Sequence, residues 1–197
     1  GKKVPMADYS KIITEKVVKD TTVKHCFTDG KSFHVGARAR VNMNFNQLLP
    51  LAKDAAAKMG YQAPCSNPFM NNVAQVIECA HCAADALAIL DKLLDMPLKY
   101  EEPEQKIQAG RGVGIAEVPR GTLVHDYTYD TDGNVTDSNL IIPTTMNIEN
   151  VEQDMAELIP QIIDRPKEEI THILEILVRA YDPCISCSVH MLNVEFV

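Results

Sequence analysis

Residues 67–95, NPFMNNVAQVIECAHCAADALAILDKLLD, constrain this chain more than any other stretch. Apolar residues recur at spacings of three and four, the period of an α-helix. Asn67 can cap the helix, and Pro68 suits its first position. The helix is apolar around much of its circumference, so it is expected to be mostly buried. Cys79 and Cys82 sit in its unbroken apolar face and read as core thiols, with His81 at or near the surface.

The rest of the chain arranges itself around that helix. Residues 8–20 show mixed apolar spacing and predict a short helix. Residues 24–42 hold a Thr-Asp-Gly turn between two short apolar segments, which reads as a hairpin. A helix pattern over 44–60 closes at Gly60, with a break or start near Pro50. Residues 97–110 are polar and contain proline, as in a linker or exposed loop. GRGVG at 110–114 lacks the strand, glycine and lysine positions of a phosphate cradle and reads as a bend. TLVHDYTYD and NVTDSNLIIP flank Thr131-Asp132-Gly133, a hairpin signal. Two helices follow, over 150–163 and 165–181. The second has acids in its first turn and Arg179 near its end, with Ile170, Ile173, Leu174 and Leu177 on one face. The expected fold is mainly α with a small antiparallel β portion. It is read as a single domain over 1–197, with a β-rich insertion at about 110–143.

Composition excludes some functions. A net charge of −8 and no basic stripe argue against a nucleic-acid partner. No apolar run is read as a membrane span, and no secretory leader opens the sequence, so a cytoplasmic protein is expected. Six cysteines in that setting predict reduced thiols.

DPCISCSVH, residues 182–190, concentrates chemistry near the end of the chain. Asp182 can cap a helical turn, and Pro183 fits its first position. Cys184, Cys187 and His190 would then share one stripe. Thiols at a helix N-terminus favour the thiolate, the form that binds soft metals. The same pattern also suits a redox pair or buried core cysteines. A redox pair would more naturally follow the first strand of a βαβ unit. A structural zinc site needs four ligands, and this stretch offers three.

DPCISCSVH resembles the Asp-Pro-Cys-x-x-Cys-x-x-His signature of nickel–iron hydrogenase large subunits. HVGARARVNMN, NPFMNNVAQVIE, AEVPRGTLVHDY and LIIPTTMN resemble other segments of that family, in the same order. The similarity runs the length of the chain, as the C-terminal half of the catalytic subunit of the cytoplasmic, multi-subunit type. It implies a helical-bundle core and reversible heterolytic splitting of H2 at a Ni–Fe centre whose iron carries CO and cyanide. By this resemblance Cys184 is the terminal nickel thiolate and Cys187 bridges the two metals. Asp182, Pro119 and Arg120 form a canopy over them, with Arg120 acting electrostatically. Pro143 and Thr144 pack on and hydrogen-bond to an iron-bound cyanide. His190 holds a nearby magnesium or iron ion, with the Leu140 carbonyl as a second ligand.

The sequence departs from the family in one respect that matters. The family's first cysteine pair lies in an Arg-x-Cys-Gly-x-Cys motif, and no such motif is present. The resemblance therefore implies a partner polypeptide carrying that pair. It also implies an iron–sulfur small subunit with its clusters, and electron-acceptor subunits. Residues 191–197 follow His190, where many relatives are cut after nickel insertion. A non-catalytic assembly or sensor relative and a zinc-binding interaction protein are the alternative readings.

Overall fold

The computed structural model of the chain describes residues 3–19, 21–97, 99–102, 106–184 and 194–195. A 3-10 turn over Met6–Lys11 buries Tyr9, and strand β1, Thr14–Lys16, follows. The helix expected over 8–20 thus does not form. Ile12, Ile13 and Thr14 are β-branched and favour extended backbone. β1 pairs antiparallel with β2, His25–Phe27.

After β2 the Thr-Asp-Gly turn closes as expected, with Thr28 and Lys31 exchanging backbone hydrogen bonds at 2.9 Å. The second arm of the expected hairpin is missing, because the chain turns at Gly36 into helix α1, Ala37–Asn44. β2 takes its partner from upstream instead.

Helix α2, Pro50–Lys58, begins at Pro50 as the sequence predicts. Helix α3, Asn71–Leu94, follows a 3-10 turn over Pro68–Met70, and the Asn67 side chain accepts a hydrogen bond from the Phe69 amide at 3.0 Å. α1 and α2 pack on the first half of α3 around Val41, Ala52, Ala56, Ala74 and Ile77. The four buried alanines in that cluster, Ala37 among them, keep the helix interfaces narrow.

The expectation of a mostly buried α3 is overturned. Within the helix only Asn71, Ala74 and Ile77 are buried, whereas Leu87, Ile89, Leu90, Leu93 and Leu94 are exposed. Cys79 and Cys82 are exposed rather than core thiols. Periodicity reports which residues are apolar, and among the described residues no element covers the back half of the helix. Pro68–Leu94 is also long and apolar enough to cross a membrane, contrary to the sequence reading. Its first half carries polar links to the rest of the fold: Glu78 binds Arg40, and the Leu49 amide donates to His81 Nδ1 at 3.2 Å.

A three-stranded antiparallel sheet comes next, of β3 (Gly110–Val118), β4 (Gly121–Tyr129) and β5 (Val135–Ile141), in that order. GRGVG is therefore strand rather than bend. Its register sets Gly110, Gly112 and Gly114 opposite Tyr129, Tyr127 and His125. Large rings on β4 supply the side-chain mass that the glycines lack. The β4–β5 turn forms where expected, with Asp130 accepting from the amides of Asp132 and Asn134 at 2.9 Å.

Helix α4, Pro143–Ile162, starts directly after β5 and is longer than predicted. Pro143 at its first position is pre-set for a helix and needs no amide bond. Helix α5, Lys167–Ala180, packs on α4 through Ile170, Leu174 and Leu177, with Ile173 partly buried. A second core joins Tyr9, Cys26, Val124, Ile141 and Met146, so the sheet, β2 and α4 share one interior.

Candidate functional site

The turn between β3 and β4 carries Pro119 and Arg120. Two glycines fix its position. Gly121 has φ 139, and a Cβ there would collide with the Val35 side chain. Gly36 has φ 117, and its Cβ would lie 2.9 Å from the Arg120 carbonyl oxygen. Only glycine accepts both the conformation and the approach. The Val35 segment is itself held by Asn147 of α4. Its amide donates to Asn147 Oδ1 at 2.8 Å, and its carbonyl accepts from Nδ2 at 3.2 Å.

Arg40 of α1 holds the same turn from below. Its Nε and Nη2 bind the two oxygens of Glu78 at 2.7 and 2.8 Å. Nη1 reaches Glu117 at 2.8 Å and the Val118 carbonyl at 2.9 Å, and Nη2 reaches the Pro119 carbonyl at 2.9 Å. The Glu78 carboxylate, assisted by Glu117, raises the Arg40 pKa further. So the guanidinium is a fixed cationic clamp beneath Pro119 and Arg120.

Arg120 turns toward the end of α5. Its Nε donates to the Asp182 carbonyl at 2.7 Å, and Nη2 to Asp182 Oδ1 at 3.2 Å. Gln75 of α3 donates to the other carboxylate oxygen at 2.9 Å. Asp182 is expected to cap a turn whose residues beyond Cys184 lie outside the described ones. Its carboxylate is engaged by Arg120 and Gln75, and its φ of 50 is not the extended conformation of a capping residue. Asn71 anchors the approach to this residue, accepting from the Arg38 amide at 3.1 Å and donating to the Ala180 carbonyl at 2.8 Å.

A cleft of about 260 Å³ opens beside these groups, lined in part by Arg120, Thr144, Asn147, Tyr181, Asp182 and Pro183. Thr144 is buried on the first turn of α4, next to the buried Pro143. Tyr181 donates to Asp154 at 2.5 Å and accepts from Asn150 at 2.5 Å. Burial, then the Asp154 bond, pushes its phenol pKa up, which keeps it neutral under the cleft. His34 packs edge-on against Tyr181 with centroids 5.1 Å apart. Burial, with Arg38 nearby, pulls its pKa down to about 3.

The structure thus gathers Arg120, Asp182 and Thr144 around one cleft. Pro119 lies on the adjoining turn, and Cys184, half-buried, comes two residues after Asp182. Leu140 lies on β5, three residues before α4 begins. Cys187 and His190 lie outside the described residues. Reading the sequence misses Arg40, Gln75, Asn71 and Asn147 as supports of the site. All four fall inside the segments HVGARARVNMN, NPFMNNVAQVIE and LIIPTTMN, the signal that could have found them.

The chain is similar to known hydrogenase subunits over nearly its whole length. The alpha subunit of sulfhydrogenase 1 from Pyrococcus furiosus is 34% identical over 194 residues, covering 98% of this chain and 45% of that protein. The beta subunit of the NAD-reducing hydrogenase HoxS from Cupriavidus necator is 32% identical over 172 residues, covering 82% of this chain and 35% of that protein. Among solved structures, an NAD+-reducing NiFe-hydrogenase in the H2-reduced state superposes with a TM-score of 0.75 at 28% identity. It covers 94% of this chain and 43% of that one. The chain therefore spans less than half the length of these relatives. The model of the nickel-dependent hydrogenase family matches residues 6–190, and the chain belongs to that family.

Proposed function

We propose that this chain is the C-terminal half of the catalytic subunit of a nickel–iron hydrogenase and takes part in reversible splitting of H2. The observation that carries the reading is the pair of hydrogen bonds that Arg120 donates to Asp182, two residues before Cys184. It sets a guanidinium and a carboxylate beside the segment that carries the thiolates.

The residues fit the family's metal pair. Cys184 and Cys187 offer the soft thiolates that suit nickel and low-spin iron. Pro119, Pro143 and Thr144 offer small apolar surfaces and one hydroxyl, suited to packing on diatomic ligands of iron. When bound, the nickel–iron pair with its CO and cyanide supplies an open position at which H2 is polarised and split. The chain's own part is to hold and move charge. Guanidinium groups do not act as bases in proteins. Arg120 therefore works as a fixed positive charge, oriented by Asp182. Cys184 Sγ would serve as the base that takes up the proton, while the metal pair would keep the hydride. His190 and the Leu140 carbonyl would hold a magnesium or iron ion that ties down the end of the chain.

The remaining thiolates come from a polypeptide carrying the family's N-terminal cysteine pair. Electrons leave for acceptor subunits by way of an iron–sulfur small subunit, in the cytoplasm. The relatives' names support an assembly of this kind, since each is one subunit of a named hydrogenase.

The test is co-production with that partner, followed by metal analysis and infrared spectroscopy. The expected result is nickel and iron, with CO and cyanide bands, and loss of nickel and of H2 turnover in Cys184→Ala. Retention of nickel and turnover in Cys184→Ala would overturn the assignment. Zinc alone would favour an interaction module.

A further inference from the structure

His25 lies away from every motif discussed above, on the face of β2 that α4 crosses. It is 1% exposed. Glu149 and Glu152, one turn apart on α4, flank its ring. Nδ1 is 2.9 Å from Glu149 Oε2, a hydrogen bond. Nε2 is 3.6 Å from Glu152 Oε1. Among the described residues Nε2 is buried and has no hydrogen-bond partner. One ligand atom from each of the three residues lies within 4.8 Å of the others.

These distances are hard to satisfy without a cation. Glu149 accepts at Nδ1, so that nitrogen carries a proton. A neutral ring then aims the Nε2 lone pair at a carboxylate oxygen, which is repulsive. A ring protonated at Nε2 as well would be ion-paired with Glu152 at 3.6 Å but would leave its N–H without a hydrogen bond, since an acceptor is needed within about 3.2 Å. A metal ion between the two atoms resolves both difficulties. With metal–ligand bonds of about 2.0–2.2 Å, a tetrahedral ion separates neighbouring ligand atoms by roughly 3.4 Å. The observed 3.6 Å is close to that spacing.

The surroundings divide the roles. Both Glu149 oxygens are engaged, Oε2 by His25 and Oε1 by Gln153 at 2.9 Å. Glu149 is therefore the group that orients the imidazole, as carboxylates do behind metal-bound histidines. Glu152 is 58% exposed and lines the cleft beside Thr21 and Val23, which gives an ion a route in from solvent. Two nearby lysines have other contacts, although Lys16 also acts on Glu149 through space. Lys24 binds Glu15 and Asn139, and Lys16 sits over the Phe27 ring.

We propose that His25 Nε2 and the Glu152 carboxylate form a binding site for a divalent cation of the zinc class, oriented by Glu149 and completed by water. This site opens on the same cleft as Arg120 and Thr144 but uses none of the residues assigned to the nickel–iron pair.

Zinc is the probe. Thiols elsewhere in the chain also take zinc, so the readout must be positional. Crystals of the full chain, alone or in its complex, are soaked in zinc chloride and measured at the zinc absorption edge. A peak about 2.0–2.2 Å from both His25 Nε2 and a Glu152 oxygen is expected. In solution, calorimetric titration should give one fewer zinc for Glu152→Gln than for wild type. The exposed position of Glu152 keeps that variant folded. Glu149→Gln should weaken this zinc by about 10–100-fold. Absence of the peak at His25, or equal zinc stoichiometry in wild type and Glu152→Gln, overturns the proposal.

Discussion

Replacing Arg40 with alanine tests how the site is held. All five guanidinium donors are engaged: two by the Glu78 fork, one by Glu117, and two by the carbonyls of Val118 and Pro119. Hydrogen bonds to a charged group contribute about 1.5–3 kcal/mol each when well buried. The Arg40 side chain is 22% exposed and Glu117 is 49% exposed, so solvent screens part of that. The Glu117 arm is worth at most about 1 kcal/mol. The Glu78 fork and the two carbonyls carry the rest, and the variant leaves Glu78 without its cation. A net loss of about 3 kcal/mol follows, or roughly 6–12 °C in Tm for a chain of this size. Arg40→Lys keeps the charge but not the fork, and should lose more than half as much. Differential scanning calorimetry on the purified chain reads both. The carbonyls of residues 118 and 119 immediately precede Arg120, so the assembled enzyme should also lose about 10-fold in H2 turnover under conditions where it remains folded. A Tm within 2 °C of wild type (less than about 1 kcal/mol) with unchanged turnover would refute the clamp.

Gly121→Ala forces a side chain into Val35 at φ 139 and should cost about 2–4 kcal/mol in a urea melt, whereas a loss under 0.5 kcal/mol would mean the turn is not wedged as described. His34 titrates near pH 3 in the folded chain and near 6.5 when unfolded, so between those values the unfolded state binds the extra proton. Stability from this group is complete above about pH 6.5 and declines as pH falls toward 3, by up to about 1.4 kcal/mol per unit. The acid limb of His34→Phe should be correspondingly shallower between pH 6 and 4, and parallel limbs would contradict the burial argument. Maleimide at pH 8, mapped by mass spectrometry, should label Cys79 and Cys82 on the isolated chain. Cys26, fully buried with its thiol pushed up to about 11, should label only after unfolding.

What can be read from the sequence divides along physical lines. Local chemistry is legible: Pro50 opening α2, Asn67 capping the turn before α3, the Thr131–Gly133 hairpin and the apolar face of α5. Strands whose partners lie elsewhere are not. β1 reads as helix because Ile12, Ile13, Val17 and Val18 fit either period over so short a run, and pairing with β2 decides the matter. β3 reads as a bend because three glycines carry no β signal; its partner β4 supplies the rings. The site follows the same rule. Arg120, Asp182 and Thr144 are found through motifs, whereas Arg40, Gln75, Asn71 and Asn147 act across separations of 78, 107, 109 and 112 residues.

The exposed half of α3 is where periodicity and structure diverge most, and the divergence has a physical meaning. The pattern from Leu87 to Leu94 is that of a helix with a partner on nearly every side, yet these residues face solvent. Fully burying one such leucine or isoleucine is worth about 1.5–3 kcal/mol. A contiguous exposed apolar patch of this kind marks a contact surface for protein or membrane. The proposed metal centre would be incomplete in the same sense, since in that proposal Cys184 and Cys187 would supply only two of its four thiolates. One neighbour meets both needs if it lies along the back of α3 and brings the second cysteine pair to the Arg120 cleft. α3 already connects the two places through Gln75 and Glu78, which hold Asp182 and Arg40. A polypeptide docking on Leu87–Leu94 would therefore press on the helix that orients the canopy, coupling assembly of the complex to the geometry of its site.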